Sequence, residues 1–244
     1  MKKLIRRIQK KIFSKSYKSQ SDMDLFKSNN SIFKQGENCK IKNCKIVLES
    51  NSTLILLDNV TIEGYEISLT DGVMEIGNNC FLLQGAQYFR PKISISSGRV
   101  FIGNNNVVRA TISIRFGGVF KIGEYNAINE ETEIRCDESI RIGDFNMVSY
   151  QCMIYDTNTH NQYPADIRRK MTKHGFPNIG AEVEKPLTKP VTIGNDNWFG
   201  KRSTILKGCE IGNEVTVGTG AVVSNIQLNK GVLVGNPAFI LDKK

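Results

Sequence analysis

No apolar run in this 244-residue chain approaches the ~20 residues a membrane-spanning helix needs; Ile55-Leu56-Leu57 is typical of the longest. The basic N-terminus is followed by no apolar stretch or small-residue cleavage site, so no secretory signal is read there. Cysteine occurs six times (Cys39, Cys44, Cys80, Cys136, Cys152, Cys209) but never as a CxxC pair. In a small secreted chain those cysteines would suggest a disulfide framework. Here the expectation is buried free thiols in a reducing, cytoplasmic setting. Histidine is scarcer still, with only His160 and His174, and no cysteine or acidic cluster stands near them in sequence to complete a metal site.

Acidic residues are missing altogether from residues 1–20, which hold Lys2, Lys3, Arg6, Arg7, Lys10, Lys11, Lys15 and Lys18. The formal charge of +9 is therefore concentrated there, and without those eight residues the remainder stands at +1. A nearly neutral body removes the case for nucleic-acid binding. Leu4, Ile5, Ile8 and Ile12 fall at helical spacing among the basic residues, which predicts a short amphipathic helix suited to an anionic membrane surface or simply to solvent. Residues 14–30 are polar and read as a linker, so 1–30 form one unit of helix and linker.

From residue 31 the sequence repeats. Ile-Gly recurs at 76–77, 102–103, 122–123, 142–143, 193–194 and 211–212. Three stretches overlay with a period of 20, giving columns Ile102/Ile122/Ile142, Val108/Ile128/Val148 and Ile114/Ile134/Ile154, beside a polar column Asn106/Asn126/Asn146. After residue 190 the period becomes six, through Ile193, Phe199, Ile205, Ile211, Val217 and Val223. Neither a helix nor a simple alternating strand has that period. A six-residue unit fits one side of a triangular coil, a short strand and a tight turn, with the aliphatic residue inward and Gly or Asn in the turn. One such coil cannot bury its own apolar face, so coils must stack. The coiled unit is read over 31–228, with a charged, proline-bearing loop thrown out at 161–190 and a C-terminal tail at 229–244.

The run PVTIGNDNWFGKRSTILKGCEIGNEVTVGTGAVVSN from Pro190, followed by GNPA at 235–238, resembles the hexapeptide-repeat acyltransferases, and the sugar and polysaccharide O-acetyltransferases in particular. The resemblance spans roughly 100–240. It implies a left-handed parallel β-helix, a homotrimer, and acetyl-CoA as co-substrate in a groove between subunits, with no metal. It also implies that His160, at the end of Asp156-Thr157-Asn158-Thr159-His160, is the general base. An imidazole with a free pKa near 6.5 suits proton removal from a hydroxyl at neutral pH. Counting along the coils, His160 follows Phe120 and Ile140 and so interrupts an apolar column at the loop's edge. By the same resemblance Asn129 and Asp156 are expected at the acceptor, and Trp198, Gly200, Lys201, Thr219 and Ser224 along the cofactor, with Trp198 equally suited to a trimer contact and the Lys201 N–H facing the oxyanion.

Two positions depart from the family pattern. Phe239 and Asn225 stand where a basic residue commonly meets the CoA phosphates, leaving Lys201, Arg202, Lys230, Lys243 or Lys244 to supply that charge. The implied activity is acetyl transfer to a sugar hydroxyl of a bacterial surface polysaccharide (capsule or lipopolysaccharide) or its precursor. The surplus of Lys and Arg in 161–190 suits an acidic or lipid-linked acceptor, and the basic N-terminus suits peripheral contact with the inner membrane. Three alternatives stand beside this reading. They are N-acylation of an amino sugar, a non-catalytic scaffold or glycan-binding β-helix, and a β-helical carbonic anhydrase, which the two isolated histidines do not support.

Overall fold

The computed structural model describes residues 18–20, 23–85, 89–180 and 184–241; the expected helix within 1–13 lies outside them. The chain winds as a left-handed parallel β-helix of about 10 turns whose short strands form three sheets, the faces of a triangular prism. Each turn visits them in one order. Met23–Lys27 lies on face 1, Ile32–Gln35 on face 2 and Lys40–Lys42 on face 3, and Cys44–Glu49 then returns to face 1. Alternate side chains point inward, so one continuous core runs up the prism from Cys44 to Leu233. The hexad residues Ile193, Phe199, Ile205, Ile211, Val217 and Val223 are all buried in it. All six cysteines are free thiols, five of them buried and Cys39 partly so.

The coils begin earlier than expected. Met23–Lys27 falls in the segment read as linker, yet it pairs in parallel with Cys44–Glu49, because Met23 and Leu25 pack on the lower end of the core. At the other end the tail folds back as an antiparallel pair, Gly231–Val234 against Phe239–Ile240, around the GNPA turn. The stretch 161–190 also holds a regular element, the helix Ala165–Gly175. Its signals were present: Pro164 before the first turn, Asp166 within it, and Lys173 and His174 in the last.

Two of the three expected aliphatic columns match the observed register, Ile102/Ile122/Ile142 and Val108/Ile128/Val148. The third is shifted: Ile112, not Ile114, lies beside Ile134 and Ile154. The chain takes two more residues to turn from face 3 to face 1 after Ile128 than after Val108, and two fewer to turn from face 1 to face 2. The period of 20 survives while the columns in between slip.

A buried asparagine ladder runs up the corner between faces 2 and 3. Asn126 Nδ2 donates to Asn106 Oδ1 at 3.0 Å, Asn146 Nδ2 to Asn126 Oδ1 at 3.0 Å, and Asn197 Nδ2 to Asn146 Oδ1 at 2.9 Å. Each Oδ1 also accepts the backbone N–H of the next asparagine, so buried polar groups are consumed in both directions. Beside the ladder, successive coils approach so closely that a Cβ on Gly103 would lie 2.4 Å from the Gly123 carbonyl oxygen. At the same corner Tyr125 and Phe145 hold φ of 56° each and stack with ring centroids 5.1 Å apart.

Asn146→Ala is expected to cost about 3 kcal/mol, since it strands the Asn197 N–H and the Gly194 carbonyl inside the wall. Denaturant unfolding measures it; a loss under about 0.5 kcal/mol would mean that water replaces the ladder.

Candidate functional site

His160 stands where the chain leaves the prism. The expectation that it takes the next place in the Phe120/Ile140 column does not hold: Val191 pairs with Ile140 and fills that place, and His160 is exposed outside the coil. The chain departs after Met153–Tyr155 on face 1 and returns at Val191–Ile193 on face 2. The neck of this excursion is closed. Thr157 and Thr188 form an antiparallel bridge, Asn158 N–H donates to Leu187 O at 3.0 Å, and Lys189 N–H donates to Asp156 O at 2.9 Å.

Beneath the neck lies a buried ionic network. Arg115 grips the fully buried Asp137 with both prongs of its guanidinium, Nε to Oδ1 at 3.0 Å and Nη2 to Oδ2 at 2.6 Å. Asp137 Oδ2 also accepts the Thr157 hydroxyl at 2.8 Å, and that hydroxyl oxygen accepts the Thr159 N–H at 3.1 Å. Arg115 Nη2 reaches the Thr159 carbonyl at 3.3 Å, one residue before the histidine. Thr159 itself holds a φ of 66°, outside the ordinary range for a β-branched residue, and these bonds hold it there.

Asp156 is a correction. Expected at the acceptor, it is fully buried, and its carboxylate accepts three backbone N–H groups: Asp137 at 2.8 Å, Glu138 at 2.8 Å and Ser139 at 2.7 Å. Burial raises its carboxyl above the ordinary aspartate range, while those donors pull the other way. Its place is under the site, shaping the corner from which the excursion departs.

Above the neck, His160 borders a cleft of about 600 Å³ whose far wall is the excursion itself. Tyr163, Arg168, Met171, Thr172, Asn178 and Ile179 are among its lining residues; of these only Arg168 was expected from the sequence, as one of the basic residues of 161–190. Arg168, Met171, Thr172 and Gly175 fall at i, i+3, i+4 and i+7 and so share the helix face turned to the cleft. The signal that would have found them is the helical spacing after Pro164. His174, on the same helix, is exposed and its Nδ1 lies 3.0 Å from the Lys170 carbonyl oxygen.

The other expected residues fall on two different corners. Ser224 is exposed on the face 1 to face 2 corner, the one His160 leaves. Asn129, Gly200, Lys201 and Thr219 line the face 3 to face 1 corner, with Trp198 on face 3 beside them, 56% exposed. Asn129 therefore does not meet His160 within one protomer. Its amide is engaged locally, accepting Arg109 at 3.4 Å and donating to Val148 O at 3.1 Å. Gly200 lets the next coil close in, since a Cβ there would lie 2.6 Å from Thr219 N. A side of six residues at ~3.3 Å each sets the two corners roughly 15–20 Å apart.

Of the candidate phosphate-binding cations, Lys230 pairs with Glu214 and Arg202 Nε donates to Gln151 at 2.9 Å. Lys243 and Lys244 lie outside the described residues, and Lys201 is exposed with no ion pair among them. Among the described residues no group of three His, Cys, Asp or Glu side chains is placed to hold a metal ion, and no helix is long and apolar enough to cross a membrane.

A family model described as bacterial transferase hexapeptide (six repeats) matches residues 190–225, so the hexads read from the sequence are those of that repeat. The putative lipopolysaccharide biosynthesis O-acetyl transferase WbbJ of Escherichia coli (strain K12) is 37% identical over 67 residues, 28% of this chain; the match spans about a third of that relative's length, 34%. Among solved structures the polySia-specific acetyltransferase NeuO superposes with a TM-score of 0.58 at 17% identity, covering 93% of this chain and 82% of NeuO. The polysialic acid O-acetyltransferase OatWY gives a TM-score of 0.48 at 22% identity, covering 87% and 88%. The likeness to NeuO establishes the shared fold.

Asp156→Asn is expected to lower stability by about 1–3 kcal/mol, because one carboxamide oxygen cannot serve three converging donors and the new N–H₂ faces one of them. Thermal and denaturant unfolding read the loss. An unchanged midpoint would show that the corner does not depend on the carboxylate.

Proposed function

We propose that this chain, which carries the transferase hexapeptide repeat, is an acetyl-CoA-dependent O-acetyltransferase acting on a sugar hydroxyl of a bacterial surface polysaccharide or its precursor. One observation carries the reading: the imidazole of His160 is exposed at the edge of a cleft of about 600 Å³, on a turn held by buried and partly buried hydrogen bonds. The relative named for lipopolysaccharide O-acetylation and the fold shared with a polysialic-acid acetyltransferase agree with it.

His160 takes the proton from the acceptor hydroxyl as its oxygen attacks the thioester carbonyl. The tetrahedral oxyanion then collapses with loss of the thiolate, to which the imidazolium returns the proton, and no acyl-enzyme forms. A backbone N–H stabilises the oxyanion; that of Lys201 makes no hydrogen bond among the described residues and is the candidate. The small residues at Gly200 and Thr219 let a pantetheine arm lie against the main chain.

These parts need more than one protomer. His160 and Ser224 flank one corner, Gly200, Lys201 and Thr219 the next, a full side away. A neighbouring subunit presenting its second corner to the first brings them together, and three such contacts close a ring. Face 3 offers the surface for this. Phe81, Val107, Ala127, Met147 and Trp198 stack outward in register, with Met147 59% exposed. At the same levels face 2 presents Lys121 and Arg141, and face 1 presents Glu133 and Arg135.

Thiol release from acetyl-CoA, measured over a panel of hydroxyl and amino-sugar acceptors, tests the chemistry. His160→Ala is expected to lower acceptor-dependent turnover by about 100-fold or more. Wild-type rates in the mutant would remove His160 from the mechanism, and turnover only with amine acceptors would replace O- by N-acylation.

Met147→Glu places a charge in the middle of the face 3 column and is expected to convert a trimer to single chains in sedimentation, with activity lost alongside. A wild-type chain that is active as a monomer would overturn the shared site.

A further inference from the structure

The cleft beside His160 holds an arginine without a carboxylate. Arg168 belongs to the lining, and among the described residues no acid pairs with it. The same is true of Arg169, Lys170 and Lys173 on the helix, which contains a single acid, Asp166, in its first turn. Glu184 lies near the rim, where its carboxylate accepts the Tyr163 hydroxyl at 3.2 Å; it is not part of the lining. No residue of the helix is buried, so packing does not explain the four cations.

The rest of the lining has the composition of a sugar site. Tyr163, Met171 and Ile179 offer apolar surface to the C–H face of a ring, and Asn178 and Thr172 offer hydrogen bonds to hydroxyls. A neutral acceptor would use those and leave Arg168 idle. A guanidinium instead matches a carboxylate or phosphate with two parallel N–H···O bonds. The outward Arg169, Lys170 and Lys173 lie within about a Debye length and add a field of the same sign, which draws an anion toward the cleft.

We infer that this cleft binds the acceptor as an anionic glycan, with Arg168 reading the charge, whether a carboxylate on the sugar or a phosphate linking it. The inference rests on the acetyl-transfer reading for the use of the site, but the binding it asserts can be measured without acetyl-CoA.

Calorimetric titration of the full chain at low salt compares an oligomer of sialic acid, its carboxyl-reduced counterpart and a phosphodiester-linked oligosaccharide. The expected result is that at least one charged oligomer binds about 10-fold or more tightly than the reduced one, equivalent to about 1.4 kcal/mol. Which of the two does so identifies the source of the charge. Arg168→Gln, an exposed position where folding is not at stake, is expected to abolish that preference; Arg169→Gln, which turns away from the cleft, is expected to change it by about twofold or less. Equal affinity for charged and reduced oligomers, a preference that survives Arg168→Gln, or no binding of either anionic probe overturns the inference. Charge-selective binding without acetyl transfer would sink the transferase reading alone. Transfer to neutral acceptors at full rate in Arg168→Gln, without charge preference in wild type, would sink this inference alone.

Discussion

Every coil of this protein is held to the next by main-chain hydrogen bonds between parallel strands, and that ladder tolerates no drift. A residue added on one side must be removed from another or pushed out of the prism. The slip at Ile112/Ile134 shows the first solution: two residues gained at the face 3 to face 1 corner are given back at the next corner, and Ile122 and Ile142 remain in register. The excursion after Asp156 shows the second. More than thirty residues leave and return at a closed neck, and Val191 resumes the column that Ile140 left.

This explains what was legible in the sequence. The hexads after residue 190 could be read because their coils carry no surplus, so spacing in sequence equals spacing in space. The Asn106/Asn126/Asn146 column could be read because asparagine stacks on itself only when coils are in register. Counting failed wherever a corner changed length. It put Ile114 in place of Ile112, and it put His160 into a core column that closes over the excursion without it. Local patterns also hid what only the fold decides. Asp156 looked like a polar residue of the segment that ends in His160, but its neighbours in space are three N–H groups of the corner below.

Those same hydrogen bonds make the site possible. The stack of coils is interrupted at the neck, and His160 is held just beyond it by the chain of contacts from Arg115 through Asp137 to Thr157 and Thr159. Asp137 is fully buried, so its charge must be met inside the protein, and a guanidinium with a hydroxyl meets it. Removing either partner would leave a desolvated carboxylate. The network therefore has one stable arrangement, and the turn before the histidine inherits it. The turn that carries His160 is thereby tied to the coil beneath it.

The prism also separates two demands that usually compete. Its interior is filled by packed apolar side chains, and its faces are repetitive; the hollow on face 1 around Ile67 and Lys92 is small, about 110 Å³. A larger concave site can arise where a coil is interrupted or where two prisms meet. This protein has the first, a cleft walled by the excursion, and the residues expected along a cofactor lie on corners a full side apart. The cleft is made of residues the ladder does not constrain, and Arg168 and its neighbours can change without disturbing a single coil. On the proposed reading, acceptor recognition is free to vary with the excursion, while the corners expected to face a cofactor are bound to the register of the stack. On the same reading, the charged helix would serve the acceptor and the hexads the cofactor.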